Sequence, residues 1–481
     1  MRQCLTSDLG GYYTAETPDR DQFGRKGDFV TSPEISQVFG ELVGLWVVAE
    51  WIAQGRKDQG VYLMEMGPGR GTLMDDILRT IRNFKDMTSA LDGIYLVEAS
   101  ASLRNAQHKL LCGDNPLREN EVGYESRSKY DENLRIVWCE DVRLLPKESN
   151  KTPFIVAHEF FDALPIHVFQ SVAPDPTKSI QTPTGPIEAK NFPRAAQHQW
   201  RELLVSPTSP YATHSSLGTP TSMASEPVPD FELIMAKAAT PHSMYLPEQS
   251  ERYRRLKSTS QAIVEISPES QTYAADFAAR IGGGQLPTAR PGEQTQSHVS
   301  RVSKSRQPEV IQKAEPSGAA LIIDYGPADT IPSNSLRGIK AHQRVSPFVE
   351  PGRVDLSADV DFLALAESAL NASPGVEVHG PLNQARFLTA MGIEERAAQL
   401  VKRAVDTERG AVNQSLRPQD RKKEDLTEMV KRIETGCKRL VDRGPHGMGK
   451  LYQVMAIVPH KPTKAGQPIR RPVGFGGDVS I

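Results

Sequence analysis

Three groups of residues in the 481-residue chain combine types and spacings that can do chemistry. In the first, Glu65-Met66-Gly67-Pro68-Gly69-Arg70-Gly71, glycines alternate behind an acid. Alternate glycines let a backbone turn sharply at a strand end and keep the main chain open to a ligand that a side chain would block. The second is Glu98, which closes the apolar run Ile94–Val97 a little over two dozen residues past the last glycine. In a strand, helix, strand unit, a carboxylate there accepts hydrogen bonds from both hydroxyls of a ribose. The third is His158-Glu159-Phe160-Phe161-Asp162-Ala163-Leu164-Pro165, two carboxylates and a histidine directly after the apolar run Pro153–Ala157. Open α/β sheets bind ligands at such strand ends, and Pro165 stiffens the loop.

The first two groups read together as a site for an adenosine-type cofactor, although a bare G-x-G-x-G also serves plain loop geometry. Two details point away from NAD. The turn lacks the sixth-position glycine that brings a helix close to a pyrophosphate, and Glu65 would repel a diphosphate. The same carboxylate suits a cofactor carrying an amino group and a sulfonium, such as S-adenosyl-L-methionine. Glu140-Asp141, just past the short strand Arg135–Trp138 and Cys139, reads either as a receiver of an adenine amino group or as a solvated loop pair. The third group faces a ligand at its strand end, or caps a helix between core aromatics.

The elements that must position these groups follow from periodicity. Val61–Met66 is a strand, and Thr72 is a cap candidate for the helix carrying Leu73, Ile77 and Leu78. Ahead of it, Thr31 or Ser32 with Pro33 starts a long amphipathic helix through Ile35, Val38, Phe39, Leu42, Val43, Trp46 and Val47. Thr31, Ser32 and Glu34 cap that helix or line the cofactor mouth. Helix Ser100–Leu111 follows Glu98; Gln199–Val205, Phe231–Met235 and Gln261–Ile266 read as strands, and Ser267–Ile281 as a helix capped by Ser267. Ala319–Gly326, ending in an acid and a glycine, suits the fifth strand of the same sheet. Ser357 is expected to cap a Leu- and Ala-rich helix, Gly380–Leu388 to start another, and Leu451–Val458 to form a late strand.

The expected organisation is an N-terminal helical extension over 1–60, the first half of the core over 61–170 and a low-complexity insertion over 171–230. A core or substrate-side addition follows over 231–284 and a disordered insertion over 285–318. The second half of the core with helical additions spans 319–458, and a disordered tail 459–481. With 57 basic and 59 acidic residues, bulk charge gives no reason to expect nucleic acid. Four scattered cysteines without C-x-x-C argue against disulfides and a zinc site, so no metal is expected. No apolar run reaches the roughly 18 residues of a membrane span.

The motifs GDFVTSPEIS, EMGPGRGTL, YLVEAS, HEFFDALP, LIIDYG, VDLSADVDF and GPLNQARFL, in this order, resemble the MidA-like family, whose mitochondrial members are complex I assembly factor 7 proteins. The resemblance spans most of the chain outside the two polar insertions. It implies an α/β, class I S-adenosylmethionine-dependent methyltransferase: a Rossmann-like, seven-stranded, mostly parallel sheet with one late antiparallel strand. It further implies symmetric dimethylation of an arginine in the 49-kDa core subunit of complex I, in the mitochondrial matrix, with a homodimer left open and no stable membrane insertion. Carried over by residue, Glu65, Gly67, Gly69 and Gly71 form the cofactor loop, Glu98 is the ribose acid, and Glu140 and Asp141 flank the adenine. Glu159 and Asp162 shape the acceptor pocket, Glu159 binding the guanidinium, with His158 as an aid to proton removal. An assembly chaperone that uses the cofactor only to order its site is the alternative. The opening MRQCLTSDLGGYYT resembles the middle of the family's first helix, so a transit peptide is expected upstream of Met1.

Overall fold

Apolar runs that end in a glycine or an acid supply the ligand edge of a doubly wound sheet, and the computed structural model assembles them in that way. It describes all residues except 8, 16–26, 29, 146, 148, 175–178, 183–184, 189–196, 216–227, 287–309, 414–425, 446, 463–469 and 477–481. The main sheet contains β1 (Val61–Met66), β2 (Leu91–Val97), β3 (Arg118–Asn120), β4 (Gly123–Arg127), β5 (Arg135–Cys139), β6 (Thr152–His158), β7 (Ala319–Tyr325), β8 (Val376–Asn383) and β9 (Tyr452–Pro459). Their order is β8-β9-β7-β6-β1-β2-β5-β4-β3. Strands β7, β6, β1, β2 and β5 are parallel. Strand β9 runs against both of its neighbours. These strands with β8 make the expected seven, one of them reversed; the β3–β4 hairpin is an addition at the far edge. Its charged, edge-facing residues hide the alternation that would mark it in the sequence.

Strand β1 is buried along its whole length because both faces are covered. Val61 and Leu63 share one core with helices α1 (Gln37–Ala53) and α2 (Thr72–Ile81). Tyr62, Met64 and Met66 share the other with α4 (Pro268–Gly282) and α5 (Phe362–Ala372), while α3 (Ala101–Cys112) follows β2. Glu65 therefore sits on the α1 face by the two-residue alternation of a strand. Among the described residues, no helix is long and apolar enough to cross a membrane.

Several elements differ from the periodicity reading. The helix expected from Thr31 breaks at Ser36, whose backbone is extended and whose hydroxyl accepts from the Val38 amide at 3.3 Å, giving a capped turn Ser32–Ile35 and then α1. Gly71, not Thr72, is the cap residue of α2. Ser357 lies in a short strand, and α5 is capped instead by Asp361, held there by Arg252 and Tyr253 at 2.9 Å each. Residues 376–383 form β8, and the helix begins only at Gln384, capped by Asn383.

Phe231–Met235, Gln199–Pro207, His167–Val172 and Ile263–Ile266 build a second, antiparallel sheet in that order. The disorder expected over 285–318 falls mostly on residues outside the described set, as does much of 171–230. Within the tail, Arg470 pairs with the fully buried Glu50 at 2.8 Å and Phe475 joins the main core, because a buried carboxylate requires a cation.

Candidate active site

A cleft of about 460 Å³ opens at the carboxyl ends of β1, β2, β5, β6 and β7. It gathers Glu65, Gly67, Gly69, Glu98, Glu140, Asp141, His158, Glu159 and Asp162. Gly71 alone among the sequence candidates does not line it: with φ 84° it starts α2, and a Cβ there would meet the Gln107 side chain at 3.2 Å. Gly67, at φ 58°, passes so close to Phe160 that a Cβ would sit 3.0 Å from the ring.

The cofactor side is built on buried acids. Glu98 accepts from the Ser100 amide at 2.8 Å and from Gln107 Nε2 at 3.0 Å. Burial pushes its carboxyl up to about 7 even against these bonds. Gln107, which periodicity gave no reason to single out, also donates to the Gly69 carbonyl at 2.6 Å and accepts from Trp138 Nε1 at 2.9 Å. One side chain thus joins the glycine turn, Glu98 and β5.

Glu65 is 3% exposed, and burial, with Glu98 nearby, pushes it up to about 8. Its Oε2 has no hydrogen-bond partner among the described residues. A buried carboxylate oxygen aimed into a cleft is a place for a cationic group, which fits the charged end of S-adenosyl-L-methionine and repels a diphosphate. Of the pair past β5, Glu140 is exposed, whereas Asp141 caps the turn Val142–Leu144 and is forked by Arg143 at 2.6 Å.

The opposite side of the cleft turns on Glu159, a non-glycine residue at φ 50°. Its amide donates to the Ile323 carbonyl at 3.0 Å, and Asp324 Oδ2 accepts from the next two amides, Phe160 at 3.1 Å and Phe161 at 2.8 Å. These bonds hold a left-handed backbone that would otherwise relax. Tyr452 Oη donates to Glu159 Oε1 at 2.8 Å and touches the Tyr325 hydroxyl. Burial, then the charge of Asp162, pushes Glu159 up to about 8. His158 lies between Phe39, with ring centroids 5.0 Å apart, and the parallel ring of Tyr452. Burial lowers it to about 3, so its 3.4 Å approach to Glu159 is no ion pair, and its Nε2 has no hydrogen-bond partner among the described residues. Asp162, raised to about 6 by burial against the pull of Arg337, faces the same space.

The N-terminal segment and a small sheet wall the cleft, through Tyr13, whose hydroxyl donates to Asp355 at 2.8 Å, and through Ile339, Leu356 and Ser357. Thr31 caps its turn and, with Glu34, lines the cleft as well. Nine acidic residues and two arginines line the cleft, and Arg70 and Arg2 are paired to Glu34 and Glu269, so the space favours cations.

A doubly wound sheet with a glycine turn and a cation-favouring cleft at its switch point, between β1 and β6, defines an S-adenosyl-L-methionine-dependent methyltransferase of α/β class. The comparisons agree. Residues 42–382 match the family described as "Putative S-adenosyl-L-methionine-dependent methyltransferase", and the chain belongs to this MidA-like family. A rat protein named protein arginine methyltransferase NDUFAF7, mitochondrial, is 30% identical over 97% of this chain and 81% of its own length. The mouse protein of that name is 32% identical over 84% of this chain and 72% of its own. A Burkholderia thailandensis structure with S-adenosyl-homocysteine bound has the same fold at a TM-score of 0.56, with 20% identity over 95% of this chain and 86% of that one.

Proposed function

We propose that the protein is an arginine methyltransferase that symmetrically dimethylates an arginine of the 49-kDa core subunit of respiratory complex I, in the mitochondrial matrix. The names of its relatives support the arginine and the mitochondrion. The observation that carries the reading is Glu159, its side chain 12% exposed at the cleft beside β6, with the buried Asp162 on the same loop. When bound, S-adenosyl-L-methionine supplies a methyl group already activated by a positive sulfur.

The chain's own residues bind and orient. Glu65 receives the cofactor's cationic end, Glu98 the ribose hydroxyls, and Gly67 and Gly69 keep the backbone open; Glu140 stands at the adenine side. Glu159 pairs with the planar guanidinium fork and aims one terminal nitrogen. Keeping Glu159 ionised at its raised value costs about 5 kcal/mol relative to a free carboxylate. One guanidinium about 4 Å away offsets roughly 4 kcal/mol of that at an effective dielectric near 20. Substrate therefore restores the charge that holds it. The proton that leaves the nitrogen goes to Glu159, because His158 at about 3 is the weaker base; Tyr452 fixes the carboxylate. Asp162 supplies the second anchor when the guanidinium turns to present its other terminal nitrogen.

The test is to incubate the protein with S-adenosyl-L-methionine and recombinant 49-kDa subunit and to fragment the product in a mass spectrometer. The proposal expects methyl groups on both terminal nitrogens of one arginine. Cofactor binding with no methylated arginine would leave a binding scaffold in its place.

A further inference from the structure

His167, Glu202 and His242 come from separate elements and converge on one point. His167 opens the strand His167–Val172, Glu202 lies on its antiparallel neighbour Gln199–Pro207, and His242 stands in the helix Pro241–Tyr245. Nδ1 of His167 lies 2.8 Å from Glu202 Oε1, and Nδ1 of His242 lies 3.5 Å from the same oxygen. The two imidazole centroids are 4.3 Å apart. Glu202 is 5% exposed, and among the described residues no lysine or arginine pairs with it. Its other oxygen accepts the Thr240 hydroxyl.

We propose that His167, Glu202 and His242 bind one divalent transition-metal ion of the zinc class, at a site separate from the methyl-transfer cleft. Zinc takes imidazole nitrogen and carboxylate oxygen at about 2.0–2.2 Å, which sets tetrahedral ligands about 3.3 Å apart. The separations of 2.8 and 3.5 Å bracket that value, and the three ligand atoms lie within 4.8 Å of one another, so side-chain rotation alone draws them into one shell. Two imidazoles with one carboxylate favour zinc-like ions over magnesium or calcium, which take oxygen. Thr240 holds the second carboxylate oxygen, as outer-shell partners do at metal sites. On binding, each neutral imidazole carries its proton on Nε2 and gives its Nδ1 lone pair to the ion. The half-exposed His242 leaves the fourth position to water.

The position has a structural consequence. His167 stands two residues past Pro165, which lines the cleft, so the ion would pin the far end of the loop that carries Glu159 and Asp162. Neither cysteine spacing nor a short His-x-His pattern marks the site, because His167 and His242 meet only through folding.

The test uses the full chain, stripped with a chelator and desalted, titrated with Zn²⁺ by calorimetry and with Co²⁺ by visible absorption. The expected result is one ion per chain, tetrahedral cobalt bands, and weakening in His242→Ala and Glu202→Gln by at least the ~10-fold that outer-shell changes cause. His242 faces solvent, so the metal-free His242→Ala protein is expected to melt with the parent, while added Zn²⁺ raises the melting temperature of the parent alone. No binding by the parent, or equal binding by His242→Ala, would overturn the proposal and leave a hydrogen-bonded cluster.

Discussion

The Tyr452 hydroxyl donates to Glu159 Oε1 at 2.8 Å, joining the reversed strand β9 to the loop after β6 across 293 positions of sequence. The same hydroxyl also touches that of Tyr325, which holds it in place. Tyr452→Phe removes this donor while keeping the ring beside His158. A hydrogen bond to a buried group contributes about 1–3 kcal/mol. The variant is expected to lose roughly fivefold to a hundredfold in kcat/KM, with calorimetric binding of S-adenosyl-L-methionine unchanged.

Gln107→Leu removes the link among Gly69, Glu98 and Trp138 and leaves the indole N–H unsatisfied. Cofactor affinity should fall by about tenfold or more, given roughly 1–3 kcal/mol for each stranded buried group. Titration calorimetry reads this; an affinity equal to the parent's would show that the turn holds its shape without Gln107.

Folded Glu65 and Glu159 are both raised to about 8, well above the carboxyl range of an unfolded chain. Such groups stabilise the fold when protonated: the contribution is full below the unfolded value and is lost as pH rises through about 8. The cofactor-free protein is therefore expected to melt several degrees lower at pH 8 than near ~5. With the cofactor's cationic end at Glu65, as proposed, saturating S-adenosyl-L-methionine should flatten the slope, and a pH-independent melting temperature in the free protein would refute the assignment.

Arg470→Ala strips the fully buried Glu50 of its cation. Since the arginine is itself partly exposed, a loss of about 1–3 kcal/mol in urea unfolding is expected. A parent-like midpoint would mean that residues 470–476 do not pack in solution.

The cofactor half was legible because its signal is local. A strand, a glycine turn and an acid at the next strand's end lie within four dozen residues, and Glu65 and Glu98 line the cleft as their spacing implies. The rest depends on contacts that spacing does not encode. Asp324 was visible as a strand-end acid, but nothing local tells that it collects the amides of Phe160 and Phe161. Three strands of the second sheet were legible, but its central strand His167–Val172 was not, because the buried polar Ser171 breaks its apolar alternation, and nothing local tells that the four pair. At Ser357 a local cap preference lost to Asp361, which Arg252 and Tyr253 hold from another part of the chain.

Single-turnover methyl transfer by Glu159→Gln tests whether Glu159 holds the arginine and takes its proton. With S-adenosyl-L-methionine and an arginine peptide of the substrate subunit both saturating, the variant should bind cofactor like the parent and transfer no methyl group within the parent's reaction time. Transfer at the parental rate, with its pH dependence unchanged near 8, would contradict the account.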